Sequence, residues 1–443
     1  MRRSRMRNLP DLVRLYRAIP GSAHIFLRRE YDRYYRLLRR LAKAYRHIAL
    51  PGTRVVAVVG SLGKTTARRA LDAVLCCPDR NFSYSNYGAS LAANILRVRP
   101  GDAHAVLEAG VDGPGPMAKY AGMLRPDIVV VTSIKSEHNR SFPSLFETRA
   151  EKVKMVSALS GQGLAVLNGD DPHVRWMATQ TLAQVVTIGT GPDNDVRAAD
   201  LRDGPGGMAF TAVLPGGPVD VQTRFAGRHM VYPFLAALAV AVHEGVAPET
   251  AAGRLSGVAP AEARMEMLRL PEGVTVLDDS YKGAVESTYA ALDALAALPA
   301  ARRLVVFGGV DEPPGRQGDV NRDIGRRLGE VADRVLCLGT GLTGVRAGAV
   351  SAGLKREAVE LAGPDYRTAV SWLKRELRPG DTVLIKGQSA LRLQRVAMCL
   401  QGRRMSCAVS QCKVKVSSCD ACPLADAPPE LFRNRYIARY VRE

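Results

Sequence analysis

"RVVAVVGSLGKTTARRALDAVL", residues 54–75, changes its preferred backbone geometry midway. Val55 to Val59 are β-branched except for Ala57, a composition that suits a strand buried on both faces. Gly60 and Gly63 permit a tight turn, and from Lys64 onward Ala67, Ala70, Leu71, Val74 and Leu75 recur with helical period. A strand therefore ends against a helix N-terminus. There, free backbone N–H groups and the positive end of the helix dipole favour a polyphosphate, Lys64 adds a point charge, and the Thr65 hydroxyl can ligate Mg²⁺. The stretch Gly60-Ser61-Leu62-Gly63-Lys64-Thr65-Thr66 reads as a phosphate-binding loop two residues shorter than usual between its glycines. An ordinary strand-to-helix turn that happens to contain GKTT is the bland alternative; strand, glycines, lysine, threonine and helix all speak against it.

The alternation continues on the C-terminal side. "AVLEAG", "DIVVVTSI" and "GLAVLNGDD" read as strands, and "PFLAALAVAVHEG" as a helix, through about residue 258. This is α/β grammar with a mainly parallel sheet. Residues 191–225 differ, with short alternating runs between "DGPGG" and "PGGP" that suggest a small antiparallel annex. A second α/β unit begins near residue 260 with the strands "GVTVLDDS", "RRLVVFGG", "DRVLCLG" and "DTVLIKG". The expected organisation is a basic helical segment over 1–50, a nucleotide-binding domain over 51–258, a second α/β domain over 259–403 and a cysteine-rich tail over 404–443.

The chain of 443 residues has ample length for such domains. No apolar run approaches the roughly 18 residues of a membrane span, and the N-terminus lacks the marks of a signal peptide, so the expected compartment is the cytosol. The net charge of +19 is unevenly placed: residues 1–50 hold 14 Lys or Arg against Asp11, Glu30 and Asp32. Within them, residues 24–50 place Phe26, Tyr34, Leu37, Leu38, Leu41, Tyr45 and Ile48 near one helical face, ringed by arginines. Such a helix can lie on the anionic inner face of a membrane, contact RNA, or pack on the protein as a solvated basic helix. Cys76, Cys77, Cys337 and Cys399 sit in apolar surroundings and read as core thiols. Cys407, Cys412, Cys419 and Cys422 are clustered; four thiolates suit tetrahedral Zn²⁺, an iron–sulfur cluster uses the same ligands, and reduced, unligated thiols remain the alternative.

Polar groups stand at the carboxyl ends of the strands, where α/β proteins bind ligands: Glu108, His138, Asn168, Asp170, Asp171, Asp278, Asp279 and Lys386. Any one of them can be a turn-former or helix cap, the Asp170-Asp171 pair in particular. With the stretches "GSLGKTT" (60–66), "LEAGVDGPG" (107–115), "PDIVVVTSIKSEH" (126–138), "RAEKVKM" (149–155), "VLNGDD" (166–171), "AGRHM" (226–230), "ARMEML" (263–268), "VLDDSYKGAVES" (276–287) and "VLIKGQSALRLQRV" (383–396), the sequence resembles the Mur ligase family, most closely its MurF type. The resemblance covers roughly residues 51–400 in family order.

It implies a central P-loop-type ATPase domain followed by a Rossmann-like domain, and an ATP-dependent ligase that joins a carboxylate to an amine through an acyl phosphate. It also implies that Gly60, Ser61, Gly63, Lys64, Thr65 and Thr66 hold the ATP phosphates. Thr65 and Glu108 would hold one Mg²⁺ and His138 would help hold a second. Lys152 aligns with a lysine that the family carbamylates into a metal ligand, with Lys154 competing for that assignment, and Arg264 and Asp279 would reach the nucleotide from the second domain. The catalytic set so implied is Lys64, Glu108, His138 and Lys152.

The pattern departs from the family in places. Asparagines of the family are replaced at Ser133, Met230, Lys282 and Ala284, and about 50 residues precede the loop where MurF enzymes carry a folded domain for the uridine-diphosphate sugar. The expected function is therefore a carboxylate–amine ligase with small-molecule or lipid-linked substrates of the cell envelope, with true MurF activity as the alternative. A non-catalytic nucleotide-binding scaffold has no use for second-metal ligands. Nucleic acid is not expected as a partner, because the chain offers no RNA-binding aromatic motif.

Overall fold

A computed structural model describes residues 34–80, 86, 88–204, 206–412, 418–422 and 424–427. The N-terminal part of the basic segment, including Phe26, lies outside them. Two sheets organise the chain. The first has eight strands in the order β2-β1-β3-β4-β5-β6-β7-β8: β1 Arg54–Val59, β2 His104–Glu108, β3 Ile128–Val131, β4 Leu164–Asn168, β5 Gln184–Gly189, β6 Val196–Gly204, β7 Gly207–Leu214 and β8 Gly217–Gln222. Pairing is parallel from β2 through β6 and antiparallel from β6 to β8, the annex expected at 191–225.

Alternation along β1 explains its unbroken hydrophobicity. Val56 and Val58 face the helices Lys64–Val74 and Val231–His243, whereas Val55, Ala57 and Val59 face Gly88–Ile95 and Met117–Leu124. The helix Val231–His243 is apolar on nearly every side because it is enclosed in the core.

The second sheet, β13-β12-β11-β14-β10-β9, comprises β9 Glu266–Arg269, β10 Thr275–Asp279, β11 Arg303–Gly308, β12 Arg334–Leu338, β13 Val359–Ala362 and β14 Thr382–Gly387. All its pairs are parallel except β9 with β10. The sequence patterns of β9 and β13 are short and half-polar, which is why only the other four strands stand out in the sequence. Helices Val285–Ala297, Gln317–Val331 and Thr343–Ser351 cover one face, and Tyr366–Glu376 and Gln394–Leu400 cover the other.

The basic helix is Tyr35–Ile48, and its apolar residues do not share one fate. Leu38 and Tyr45 pack on the core while Tyr34, Leu37, Leu41 and Ile48 are exposed. The buried face is set instead by Ala42 and Arg46. Arg46 donates to the carbonyls of Leu50, Leu124 and Arg125 and pairs with Asp127 at 2.9 Å, so this arginine anchors the helix below the parallel sheet. Among the presumed core thiols Cys337 is buried, but Cys76 is exposed at a left-handed turn, φ 52°, after the helix Lys64–Val74.

Candidate active site

The loop after β1 and the loop after β3 meet where the strand order reverses about β1, the crevice in which open α/β sheets bind ligands. Gly60 has φ +144°, and a Cβ there would collide with Thr132 Oγ1 and the Ser133 backbone. Gly63, φ +81°, caps the helix Lys64–Val74. The turn therefore needs both glycines, one for close approach and one for its left-handed conformation.

Ser61 ties the crevice together. Its backbone N–H donates to Ser133 O at 2.8 Å, and its hydroxyl accepts from Lys135 N at 3.0 Å and from Lys152 Nζ at 2.9 Å. Lys64 curls back onto its own loop, donating to the carbonyls of Gly60 at 2.7 Å and Ser61 at 2.9 Å. Thr65 Oγ1 lies 3.2 Å from Glu108 Oε2, whose other oxygen faces Arg68 at 3.3 Å. Thr66 is buried beneath the loop.

Glu137 is the electrostatic hub, and the sequence reading passed over it. Burial opposes its ionisation, but Lys64, Lys282, Lys152 and His138 together hold its carboxyl well below the usual carboxylate range. Lys282 bonds it directly from the second domain, Lys64 is 4.0 Å away and His138 Nε2 is 3.6 Å away. The one signal in the sequence was a lone acid in "KSEH" among so many cations. Burial also pushes down the Lys64 ammonium and the His138 imidazolium, with Glu137 opposing in both cases. Lys152, only 3% exposed, is pushed down to about 7 by burial, again against the pull of Glu137. Lys154 instead points away, paired with Glu151 at 2.5 Å.

The second domain supplies the opposite wall. Asp279, at the end of β10, accepts from Met265 N at 3.2 Å and pairs with the buried Lys386, which also donates to Lys282 O at 2.8 Å. Arg264 stacks on Tyr281 at 4.0 Å and lies near enough to Lys64 to depress its charge. The walls are joined by Ser136 to Glu286, Lys282 to Glu137, and Asn139 to the carbonyl of Glu312.

The residues nominated at 60, 61, 63–65, 108, 138, 152, 264 and 279 thus gather at one cleft, with Thr66 beneath it. Of the strand-end groups of β4, Asn168 and Asp170 stay outside it, whereas Asp171 reaches its edge, pairing with Lys135 at 3.3 Å and favouring the charged form of Lys152. Asp171 caps the helix Pro172–Arg175 and receives Ile134 N at 3.0 Å, Asp170 gathers Thr190, Gly191, Asn194 and Tyr232, and Asn168 donates to Thr132 O. These are loop-building contacts.

The expectation of a metal at the tail is not met. Among the described residues no three His, Cys, Asp or Glu side chains converge to hold a metal ion, and Cys407, Cys412, Cys419 and Cys422 are all described. Cys407 Sγ rests 3.9 Å from the Arg395 guanidinium, and burial pushes the Cys419 and Cys422 thiols up to about 12 and about 11. In the cleft the donor set is different. Thr65 and Glu108 present hard oxygen donors beside the phosphate loop, which fits Mg²⁺.

A short phosphate loop on one α/β lobe, roofed by a second α/β lobe carrying an aspartate and an arginine, defines a nucleotide-binding protein of the domain-closing kind. A family model for the Mur ligase middle domain matches residues 58–241, and one for the Mur ligase glutamate ligase domain matches residues 263–389. The UDP-N-acetylmuramoyl-tripeptide–D-alanyl-D-alanine ligase of Mycobacterium tuberculosis is 30% identical over 377 residues, 78% of this chain and 72% of that protein. Its counterpart in Bacillus subtilis is 27% identical over 369 residues, covering 81% and 78%. This chain belongs to the Mur ligase family.

Two solved structures share the fold at 21% identity. They are MurF from Acinetobacter baumannii, TM-score 0.75 over 83% of this chain and 81% of that one, and MurF from Thermotoga maritima in complex with ADP, TM-score 0.72 over 83% of each. The protein is accordingly an ATP-dependent ligase that forms amide bonds.

Proposed function

We propose that this protein joins the amino group of D-alanyl-D-alanine to a carboxylate of a UDP-N-acetylmuramoyl-tripeptide. The observation that carries this reading is the 30% identity to the Mycobacterium tuberculosis ligase over 377 residues, a span long enough to include both walls of the cleft.

The residues divide the work in a physically consistent way. The backbone N–H groups of Gly60 to Thr66 cradle the phosphates, and Lys64 exchanges two loop carbonyls for the β- and γ-phosphate oxygens. Thr65, Glu108 and His138 would hold Mg²⁺, which offsets the repulsion between phosphoryl oxygens and the approaching carboxylate. That carboxylate attacks the γ-phosphorus and ADP leaves; the neutral amine then attacks the acyl carbon and phosphate departs, carrying off the proton lost by nitrogen. Lys152, with its charge destabilised by burial, is suited to react as a neutral amine with carbon dioxide and become an anionic ligand, whereas Lys154 is exposed and paired. Arg264 and Asp279 close over the nucleotide from the second lobe, and a closed cleft protects an acyl phosphate from hydrolysis.

The test is ADP release with the tripeptide and D-alanyl-D-alanine, with the product mass determined. Amide formation from this pair is expected. Turnover with another acid or amine and none with this pair overturns the assignment.

A second reading concerns location. Among the described residues no helix is long and apolar enough to cross a membrane. The helix Tyr35–Ile48 nevertheless exposes Tyr34, Leu37, Leu41 and Ile48 beside Arg36, Arg40 and Lys43. That arrangement supports peripheral attachment to an anionic bilayer. Replacing Leu37, Leu41 and Ile48 with Ser would then release the protein from anionic vesicles; unchanged sedimentation with vesicles rejects attachment.

A further inference from the structure

A ligase of this kind must bring a primary amine into a cleft crowded with cations. Lys64, Lys152, Lys282, Lys386 and Arg264 all face it, and a primary amine at neutral pH arrives as an ammonium. The strongest anchor for it is a carboxylate oxygen that is not already engaged. Glu137 is engaged by Lys282 and Lys64, and Glu108 by Thr65 and Arg68. Asp279 is engaged by Lys386 and Met265 N, and Asp311 by the backbone of Gly283 and Ser389.

Glu286 is different. Its Oε1 accepts from both Ser136 N at 2.9 Å and Ser136 Oγ at 2.7 Å, while its Oε2 is buried without a hydrogen-bond partner. It is the one carboxylate oxygen in that condition among the described residues. An unpaired buried carboxylate oxygen is costly, so a position that keeps one is expected to be filled in the working enzyme.

We infer that Glu286 Oε2 is the acceptor that binds the incoming amine as its ammonium, with Ser136 fixing the carboxylate in place. Glu286 belongs to the second lobe and Ser136 to the first, 150 residues apart, so the amine site is assembled only when the lobes close. The inference rests on the ligase reading above and adds the amine's binding residue to it.

Glu286→Gln keeps a carbonyl oxygen for Ser136 and removes the charge. The expected result with D-alanyl-D-alanine is a rise in its KM of about 10- to 100-fold, the weight of one charge-assisted hydrogen bond, with the KM for ATP within about twofold of the parent. Hydroxylamine, neutral at assay pH, captures the same acyl phosphate without needing an ammonium anchor, so hydroxamate formation should be unchanged. Glu286→Asp should recover part of the amine affinity. An unchanged amine KM overturns the inference. So does a loss of hydroxamate or ATP affinity equal to the loss of peptide formation, which would assign Glu286 to the nucleotide or to closure alone. A parent enzyme that does not turn over D-alanyl-D-alanine defeats the substrate reading instead, and the Glu286 variants are then compared on the primary amine that the parent does use.

Discussion

Asp278 and Asp279 are chain neighbours at the end of β10 and point to opposite faces of the sheet, as strand alternation requires. Asp279 faces the cleft and pairs with Lys386. Asp278, 1% exposed, lines a separate cavity of about 290 Å³ with Glu262, Glu266 and Asp420. Burial pushes its carboxyl up to about 7, against the hydrogen bond from Ser280. The folded protein therefore holds a proton here that the unfolded chain has released, between about pH 4 and pH 7. Stability should fall as pH rises through that window, by at most about 4 kcal/mol. Asp278→Asn, which retains the acceptor for Ser280 N, should flatten the dependence, so that urea midpoints of variant and parent diverge between pH 5 and pH 8; parallel midpoints would refute it. Lys64 tests the other end of the site. Lys64→Ala should leave far-UV circular dichroism unchanged and reduce kcat at least about 1000-fold, since no other group replaces its charge at the phosphates. Near-normal ligation by that variant would refute the nucleotide assignment.

The phosphate loop and the basic helix show how much a single element can disclose about itself. The strand, turn and helix of 54–75 are legible because every local preference agrees: β-branched residues, two glycines, then apolar residues at helical spacing. Gly60→Ala conflicts with both φ +144° and the Thr132 hydroxyl, and should lower ATP affinity at least about tenfold while destabilising the fold by about 1–3 kcal/mol, read by nucleotide titration and thermal melting. The helix Tyr35–Ile48 was legible as a helix but not in its orientation. Its exposed apolar stripe and its packed face lie side by side, and the choice between them is made by Arg46, whose partners Leu124, Arg125 and Asp127 stand about 80 positions away. Arg46→Met should strand Asp127 and the carbonyls beneath it and cost about 2–4 kcal/mol in urea unfolding.

Closure joins the two lobes through few polar contacts at the cleft: Lys282 to Glu137, Ser136 to Glu286, Asn139 to Glu312 and the exposed Arg140 to Glu312 at 3.8 Å. Lys282→Met removes the more buried of the two ion pairs and leaves Glu137 with less compensation. It should shift the population toward an open form, with a larger radius of gyration by small-angle scattering. An unchanged scattering profile would show that the remaining contacts hold the lobes together.

What the chain alone determined is what local physics can write: the order of strands and helices, the glycine turn, the polar residues at strand ends and, by their order, the family. Only the folded structure decided which of those residues share a cleft. It left Asp170 to its own loop, set Asp171 against Ile134 and Lys135 at the edge of the cleft, and among the described residues brought no three tail cysteines together to hold a metal ion. It admitted Glu137 and Glu286, neither of which stands out in the chain. The reason is that a charge acquires its meaning from its partners and its burial. For Glu286 the partner, and for Glu137 the closest one, Lys282, come from the other lobe, about 150 residues away, so these contacts exist only once both sheets have formed and met.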